Sequence, residues 1–537
     1  MHVSFTDFVH RVRRTVQIRD VVVSFIIAIA YTATRLINLK ALPIFSDEGI
    51  YINWARIAAG DVAWRFISLT DGKQPLQTWG TLLFVKLFPA DLLLAGRLFS
   101  VVTGFVALVG LVAVCARLWG RRGALIGAML YIVTPFFLFY DRLALVDSGV
   151  NAAFLWIFFF SLILPVTRRL DVAMIFGIIA GIGLLAKSSV LLFVGLSFFG
   201  FLFILESKDK QSNIKRFTIQ HLFKKIAESR KAIIDFIALF FVTCAFAIAL
   251  YLIQKFFSPF FHYIAEKNLT FIVTPQEWLR APFALVANNA QIVPLYVAWE
   301  SGWLPLVFGI AGFWITLRKR FYLACYIALW IGIPLIMILN FNKVVFPRYL
   351  IFFPSLLVIL STAFFVSIQR KSIQVAAIAV TVLLLAAQSF PILFNVREIS
   401  LPEVDRGQYI DGQTAVWGVD ELVDIIRSDV NANQKPAYVL AEGNFGLIAD
   451  VLEVMKRPGD RISIQGVWPL NEEHILQAIR TEMPESQLYV VFSHRKDFPV
   501  HWRDFMDEVR VFYKPDDKTT PVYLYKVKPT AFTTIQQ

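Results

Sequence analysis

The run VAMIFGIIAGIGLLAKSSVLLFVGLSFFGFLFIL, residues 172–205, carries one charge, Lys187, among apolar residues. As a single helix it would extend roughly 50 Å at 1.5 Å per residue, well beyond a hydrocarbon core of about 30 Å. Arg168 and Arg169 precede it, and the basic 208–231 segment follows it. Lysine and arginine are retained on the cytoplasmic side of a membrane, so both ends belong on that side. The run is therefore expected to be a hairpin of two spans that turns near Lys187 on the outer side.

Working outward, the same length rule gives about eleven spans: 21–39, 92–115, 123–139, 143–164, 172–186, 188–205, 232–256, 299–317, 321–339, 349–368 and 373–394. Basic clusters at 11–19, 117–122, 168–169, 208–231, 318–320 and 370–371 fall in every second loop. This fixes the N-terminus inside and predicts two long outer loops, 40–91 and 258–298. The first basic cluster and apolar run look like a secretory signal, but no small-residue cleavage site follows, which predicts a retained first span. The 206–231 loop reads either as a basic amphipathic segment on the inner surface or as a solvated linker.

Composition agrees with a lipid-dissolved chain. Of 537 residues, 57% are hydrophobic, 51 are Phe and the mean hydropathy is +0.63, more than a soluble core requires. The net charge of +13 lies in short clusters between apolar runs, so an anionic inner leaflet explains it better than nucleic acid does. Cys115, Cys244 and Cys325 all sit inside apolar stretches without metal or disulfide spacing.

Past residue 396 charges, Pro and Gly become common, and the pattern alternates between β-rich and helical. Strands are expected at 437–440, 462–465, 487–492, 509–513 and 522–527, and helices at 418–430, 444–455 and 471–482. Residues 397–537 are thus expected to form an extracytoplasmic α/β domain after a transmembrane domain of residues 1–396. Within it, Glu442-Gly443-Asn444-Phe445-Gly446 follows a strand and opens a helix, but it lacks a full phosphate-loop pattern and reads as a tight turn.

The polar residues of interest cluster in the outer loops. Ser46-Asp47-Glu48-Gly49 follows Pro43 at a helix start, where two acids can divide a general-base task from an orienting one, or simply favour the helix N-terminus. Lys73, in Asp71-Gly72-Lys73-Gln74-Pro75, suits a phosphate, or else snorkels from an interfacial helix. Asp147, about one turn into the fourth expected span, is costly in lipid; it is either functional or paired with Arg142. Lys187, Lys343 and Arg348 add cations at the same depth. The second outer loop contributes His262, Glu266, Lys267, Asn268 and Arg280, with Trp278 and Trp299 as interface anchors. His262 alone makes no metal site. Asp47, Glu48 and Asp147 could hold a divalent cation through oxygen, but the nearby cations argue that the chain neutralises phosphate itself; no cofactor is firmly implied.

The acidic pair after the first span, the Lys-x-Pro turn, the Arg142 and Leu145-x-Asp147 element, and Gly181-Ile-Gly-Leu-Leu-Ala-Lys187 occur in an order that resembles the protein O-mannosyltransferase and aminoarabinose transferase group. These are membrane glycosyltransferases of the C superfamily. The resemblance implies a polyprenyl-phosphate-linked sugar as donor, an exported protein, glycan or lipid hydroxyl as acceptor, and transfer with inversion. It implies Asp47 as general base, with Glu48, Arg142 and Asp147 shaping the base and the sugar pocket. Lys73, Lys187 and Arg348 would hold the donor phosphate, and His262, Glu266 and Asn268 would belong to the substrate-binding loop. Where the family has Lys-Pro-Pro, this chain has Lys73-Gln74-Pro75, and the C-terminal region is not shared with the eukaryotic mannosyltransferases. A multispan lipid or glycan flippase is the rival class, but no internal repeat is evident and the charges gather at one membrane face.

Overall fold

The computed structural model describes residues 17–207, 219–443, 448–495, 497–515 and 520–531. Arg11, Arg13 and Arg14, the 208–218 part of the basic 208–231 segment and the Asn444–Gly446 turn lie outside the described residues.

Helices occur at each of the eleven expected positions, with breaks wherever the backbone chemistry requires them. The second and third expected spans form one assignment, Leu92–Val133, interrupted at Gly120, whose φ of +73° a side chain would resist. That helix stops at Thr134, before Pro135, so the expected 123–139 span ends early and Pro135–Tyr140 is a separate short helix. The 172–205 run breaks at 185–189, with Lys187 in the break. The expected span 299–317 is corrected: Gly302, at φ +81°, bends Val286–Ser301 by 106° from Trp303–Lys319. Trp299 therefore belongs to a helix lying mostly within the expected outer loop. Of the described helices, five are long and apolar enough to cross a membrane, or six if the bent pair is one span. Leu170–Leu184, Val190–Glu206 and Phe352–Ser367 are shorter apolar helices at other expected spans.

The expected first outer loop is ordered by its own helices, Ser46–Gly60 and Leu76–Leu87, preceded by a short strand β1, Ile44–Phe45. β1 pairs antiparallel with β2, Ala415–Val416, which ties the residues just before Asp47 to the C-terminal region.

That region carries the five expected strands: β3 (Ala437–Glu442), β4 (Ile462–Val467), β5 (Gln487–Phe492), β6 (Met506–Phe512) and β7 (Val522–Val527). Their order is β4-β3-β5-β7-β6, parallel among β3, β4 and β5 and antiparallel for the last two. Crossover helices Ile448–Met455 and Glu472–Thr481 join the parallel strands, as a βαβ connection requires. The sheet does not stand apart. One apolar core joins Ile52 and Ala55 of the first outer loop to Val451, Leu452, Val491 and Leu524. Asn53 donates to Asp450 at 2.6 Å and Arg56 pairs with Glu453 at 3.0 Å across the same junction.

Candidate active site

The position of Asp47 follows from its neighbour Glu48. Pro43 and the β1 pairing deliver an extended chain to the helix start, where the Glu48 carboxylate accepts the Phe45 N–H at 3.1 Å and caps the first turn. Glu48 also accepts two bonds from Arg97, each 2.9 Å, and the Ala144 N–H at 2.8 Å. Arg97 in turn donates to the carbonyls of Leu39, Leu42 and Pro43 at 2.8, 3.1 and 3.1 Å. Both side chains are fully buried, so the pair locks the loop, the second span and the 141–146 turn together. Glu48 thus faces Arg97 and does not line the cavity that Asp47 faces.

Asp47 stands between two cations: its Oδ1 lies 3.4 Å from Lys73 Nζ and its Oδ2 3.2 Å from Arg348 Nη2. Burial opposes its charge, but Lys73, Arg348 and Lys267 outweigh that effect and hold its carboxyl below the usual carboxylate range. Lys73 lies over the Tyr51 and Trp54 rings and 3.4 Å from Asp71. Gly72 makes this possible: its φ is +64°, and the Tyr263 carbonyl oxygen lies 2.3 Å from where a Cβ would stand. Arg348 also donates to the Tyr409 hydroxyl at 3.3 Å.

Asp147 pairs with Lys187 at 3.6 Å, and Lys187 sits 4.1 Å from the centre of the Tyr349 ring. The expected Arg142–Asp147 pair is therefore absent. Arg142 is fully buried and donates to the carbonyls of Thr34, Arg35, Ile37 and Asn38, closing the end of the first helix outside the cavity. From the second outer loop, Lys267 bonds Asp71 at 2.8 Å and Asn268 donates to Ser188 at 3.2 Å, which also accepts from Gln74. His262 and Glu266 do not line the cavity; His262 Nδ1 faces the Pro259 carbonyl at 3.0 Å, and Glu266 is exposed.

Asp47, Lys73, Asp147, Lys187, Lys267, Asn268 and Arg348 line one cavity of about 780 Å³. At one end Lys73, Lys187, Lys267 and Arg348 face the carboxylates of Asp47 and Asp147, a local excess of positive charge. Away from these charges the lining is apolar, including Leu191, Leu196, Phe199, Ile333 and Met337. A phosphate with a hydrocarbon tail matches both parts. Among the described residues no three His, Cys, Asp or Glu side chains gather to hold a metal ion. The three carboxylates considered for a divalent cation each face a cation of the chain instead.

Sequence reasoning does not single out Tyr51, Ser188 or Tyr349, which line the cavity. Asp71 and Lys267 stood within motifs that were singled out, but Tyr51 and Tyr349 carry no signal beyond being aromatic near a membrane surface.

The family model described as dolichyl-phosphate-mannose-protein mannosyltransferase matches residues 72–223, the stretch holding Lys73, Asp147 and Lys187. No curated protein matches the chain. Among solved structures, ArnT from Cupriavidus metallidurans in the apo state is similar in fold, with a TM-score of 0.58 at 12% identity over 95% of this chain and 98% of that one. The same protein bound to undecaprenyl phosphate matches with a TM-score of 0.57 at 13% identity over 95% and 98% of the two chains. The chain thus agrees with the resemblance read from its sequence through the mannosyltransferase family model over residues 72–223, and its fold is similar to that of ArnT over nearly its whole length.

Proposed function

We propose that the chain is an inverting glycosyltransferase that moves a sugar, a mannose-like hexose or a relative, from a polyprenyl phosphate to a hydroxyl acceptor at the outer face of the plasma membrane. In this reading the N-terminus lies inside, and residues 397–537 form a domain outside. The observation that carries it is a carboxylate between cations beside an apolar channel, within one cavity. ArnT, similar in fold, has been solved with undecaprenyl phosphate, a lipid of the class this cavity fits.

The donor phosphate binds among Lys73, Lys187 and Arg348, with its polyprenyl tail in the apolar part of the cavity. Drawing Lys73 and Arg348 onto phosphate oxygens loosens their hold on Asp47, whose carboxylate then becomes more basic as an acceptor hydroxyl arrives. Asp47 takes the hydroxyl proton, the acceptor oxygen bonds the anomeric carbon from the face opposite the phosphate, and the bond from that carbon to the phosphate oxygen breaks. The released polyprenyl phosphate keeps the electron pair, and its growing charge is met by the same cations. Asp147 positions Lys187. A flippase would need the same lipid cleft but not a carboxylate poised beside it.

The test is incubation of the full chain in nanodiscs with radiolabelled polyprenyl-phosphate sugars and hydroxyl acceptors, alongside Asp47→Asn. Transfer by the wild type and a fall of about 10²-fold or more in the variant are expected. Equal rates would remove Asp47 from the role, and lipid translocation without transfer would favour the flippase.

A further inference from the structure

A second cavity, of about 390 Å³, lies where the Asp47 helix meets the C-terminal sheet. Its walls include Asn53, Trp54 and Arg56 from Ser46–Gly60, Asp450 and Glu453 from Ile448–Met455, and Ile464 with Gly466 from β4. Trp54, which lines this groove, also packs against Lys73 of the first cavity, 5.6 Å from ring centre to Nζ.

β4 is an edge strand, and no strand lies beyond it among the described residues. Its hydrogen-bonding parity is fixed at both ends: the Ala437 N–H donates to the Arg461 carbonyl at 3.0 Å, and the Gly443 N–H donates to the Val467 carbonyl at 2.8 Å. Odd-numbered residues of the parallel ladder therefore turn their backbone groups toward β3, while Ile462, Ile464 and Gly466 turn theirs outward. Two of these three, Ile464 and Gly466, line the groove. Exposed edges are usually blunted by lysine, proline or a bulge, yet Ile462-Ser463-Ile464-Gln465-Gly466-Val467 carries no charge and no proline.

From this juxtaposition we infer that the groove seats an extended peptide segment of a protein acceptor, which adds as a strand to the outer edge of β4 and presents a Ser or Thr hydroxyl to Asp47. This rests on the transferase reading above. The outward groups of Ile464 and Gly466 recur every second residue, roughly 6.6 Å apart, the repeat of a polypeptide strand. Arg56 pairs with Glu453 at 3.0 Å and Asn53 donates to the Asp450 carboxylate at 2.6 Å, which leaves the groove one negative charge in excess and so does not favour an anionic glycan. The reach also fits. Asn53 lies six positions along the helix from Asp47, about 9 Å of rise and roughly a third of a turn round the axis, so an extended chain leaving the groove needs at least about three residues to reach it. The reacting hydroxyl is thus placed at least about three residues beyond the paired segment.

The experiment uses the full chain in nanodiscs with ten-residue serine peptides, each fluorescently labelled and made in two forms, plain and N-methylated at alternate backbone nitrogens. Binding is read by anisotropy, sugar transfer from a polyprenyl-phosphate hexose by mass, and donor hydrolysis to water as a peptide-independent activity. Gly466→Pro removes one outward N–H while sparing the ladder to β3, and Gly466→Ala keeps it. Expected are about a tenfold rise in the peptide's Kd and KM for Gly466→Pro and for the N-methylated peptide, with kcat and hydrolysis little changed and near wild-type values for Gly466→Ala. Peptides that bind or react equally well with Gly466→Pro, or that neither bind nor react while glycan hydroxyls accept sugar, overturn the inference and leave the transferase reading standing. Loss of hydrolysis and of every transfer with peptide binding still dependent on Gly466 would instead sink the transferase reading alone.

Discussion

Replacing Arg97 by Met tests how the helix that carries Asp47 is held. Arg97 and Glu48 are both fully buried, joined by two bonds of 2.9 Å, and Arg97 also satisfies the carbonyls of Leu39, Leu42 and Pro43. Methionine fills much of the volume but leaves Glu48 in an apolar site with only the Phe45 and Ala144 N–H groups as partners. Removing one member of a buried pair costs about 3–5 kcal/mol, chiefly because the remaining charge is uncompensated. If that cost is released by opening of the first outer loop, amide exchange over residues 44–60 should accelerate by about two to three and a half orders of magnitude, at 1.4 kcal/mol per decade. Hydrogen–deuterium exchange of the full chain in nanodiscs reads this directly, and sugar transfer should fall with it, since Asp47 is carried on that helix. A thermal-unfolding cycle with Glu48→Gln and the double variant separates coupling from loss of volume, the double costing clearly less than the two singles together. Exchange within a few-fold of wild type over residues 44–60 would refute the view that this pair positions Asp47.

Three further outcomes follow from the site. Because Asp47 in the donor-free chain is held below the ordinary carboxylate range and the proposed base must be ionised, kcat/KM for the donor should persist at high pH and be lost only as pH falls through that depressed value; in Lys73→Gln its acid limb should move to higher pH, whatever the overall loss of rate, and an unmoved limb counts against Lys73 as its partner. Gly72→Ala, at φ +64° with the Tyr263 carbonyl 2.3 Å from the new Cβ, should destabilise the chain by about 1–3 kcal/mol and lower donor affinity by displacing Lys73, checked by thermal unfolding and donor KM. Gly195 lines the cavity and has open space beside it, so Gly195→Phe should fill the tail channel, raising KM about tenfold or more for long polyprenyl donors and much less for a ten-carbon analogue; equal effects on both would place the tail elsewhere.

Much of the site was legible because its residues are expensive where they lie. Asp147 near the membrane surface, Lys187 alone in an apolar run and Lys73 beside a glycine turn each break a local pattern, and all three line the cavity. Arg142 breaks a pattern equally well, yet its guanidinium closes the carbonyl end of the first helix. Sequence shows that a charge needs a partner, but not whether that partner is a ligand or a backbone. The α/β elements were readable to within a few residues, since the two-residue and 3.6-residue periods report which face is buried. The break at Gly302 was missed because one glycine in an apolar run scarcely alters hydropathy, although its positive φ redirects a helix by 106°.

Taken alone, the order of residues determined the lipid-dissolved class, the placing of helices and strands, and the loops that hold the charges, because burial in hydrocarbon and in a sheet both impose short periods on a chain. Only the tertiary structure decided that Arg348 reaches Asp47 across 301 positions, that Glu48 turns away to Arg97, and that the edge of β4 borders the helix that carries Asp47. Such meetings depend on how helices pack and where their breaks point them, and no local period encodes that.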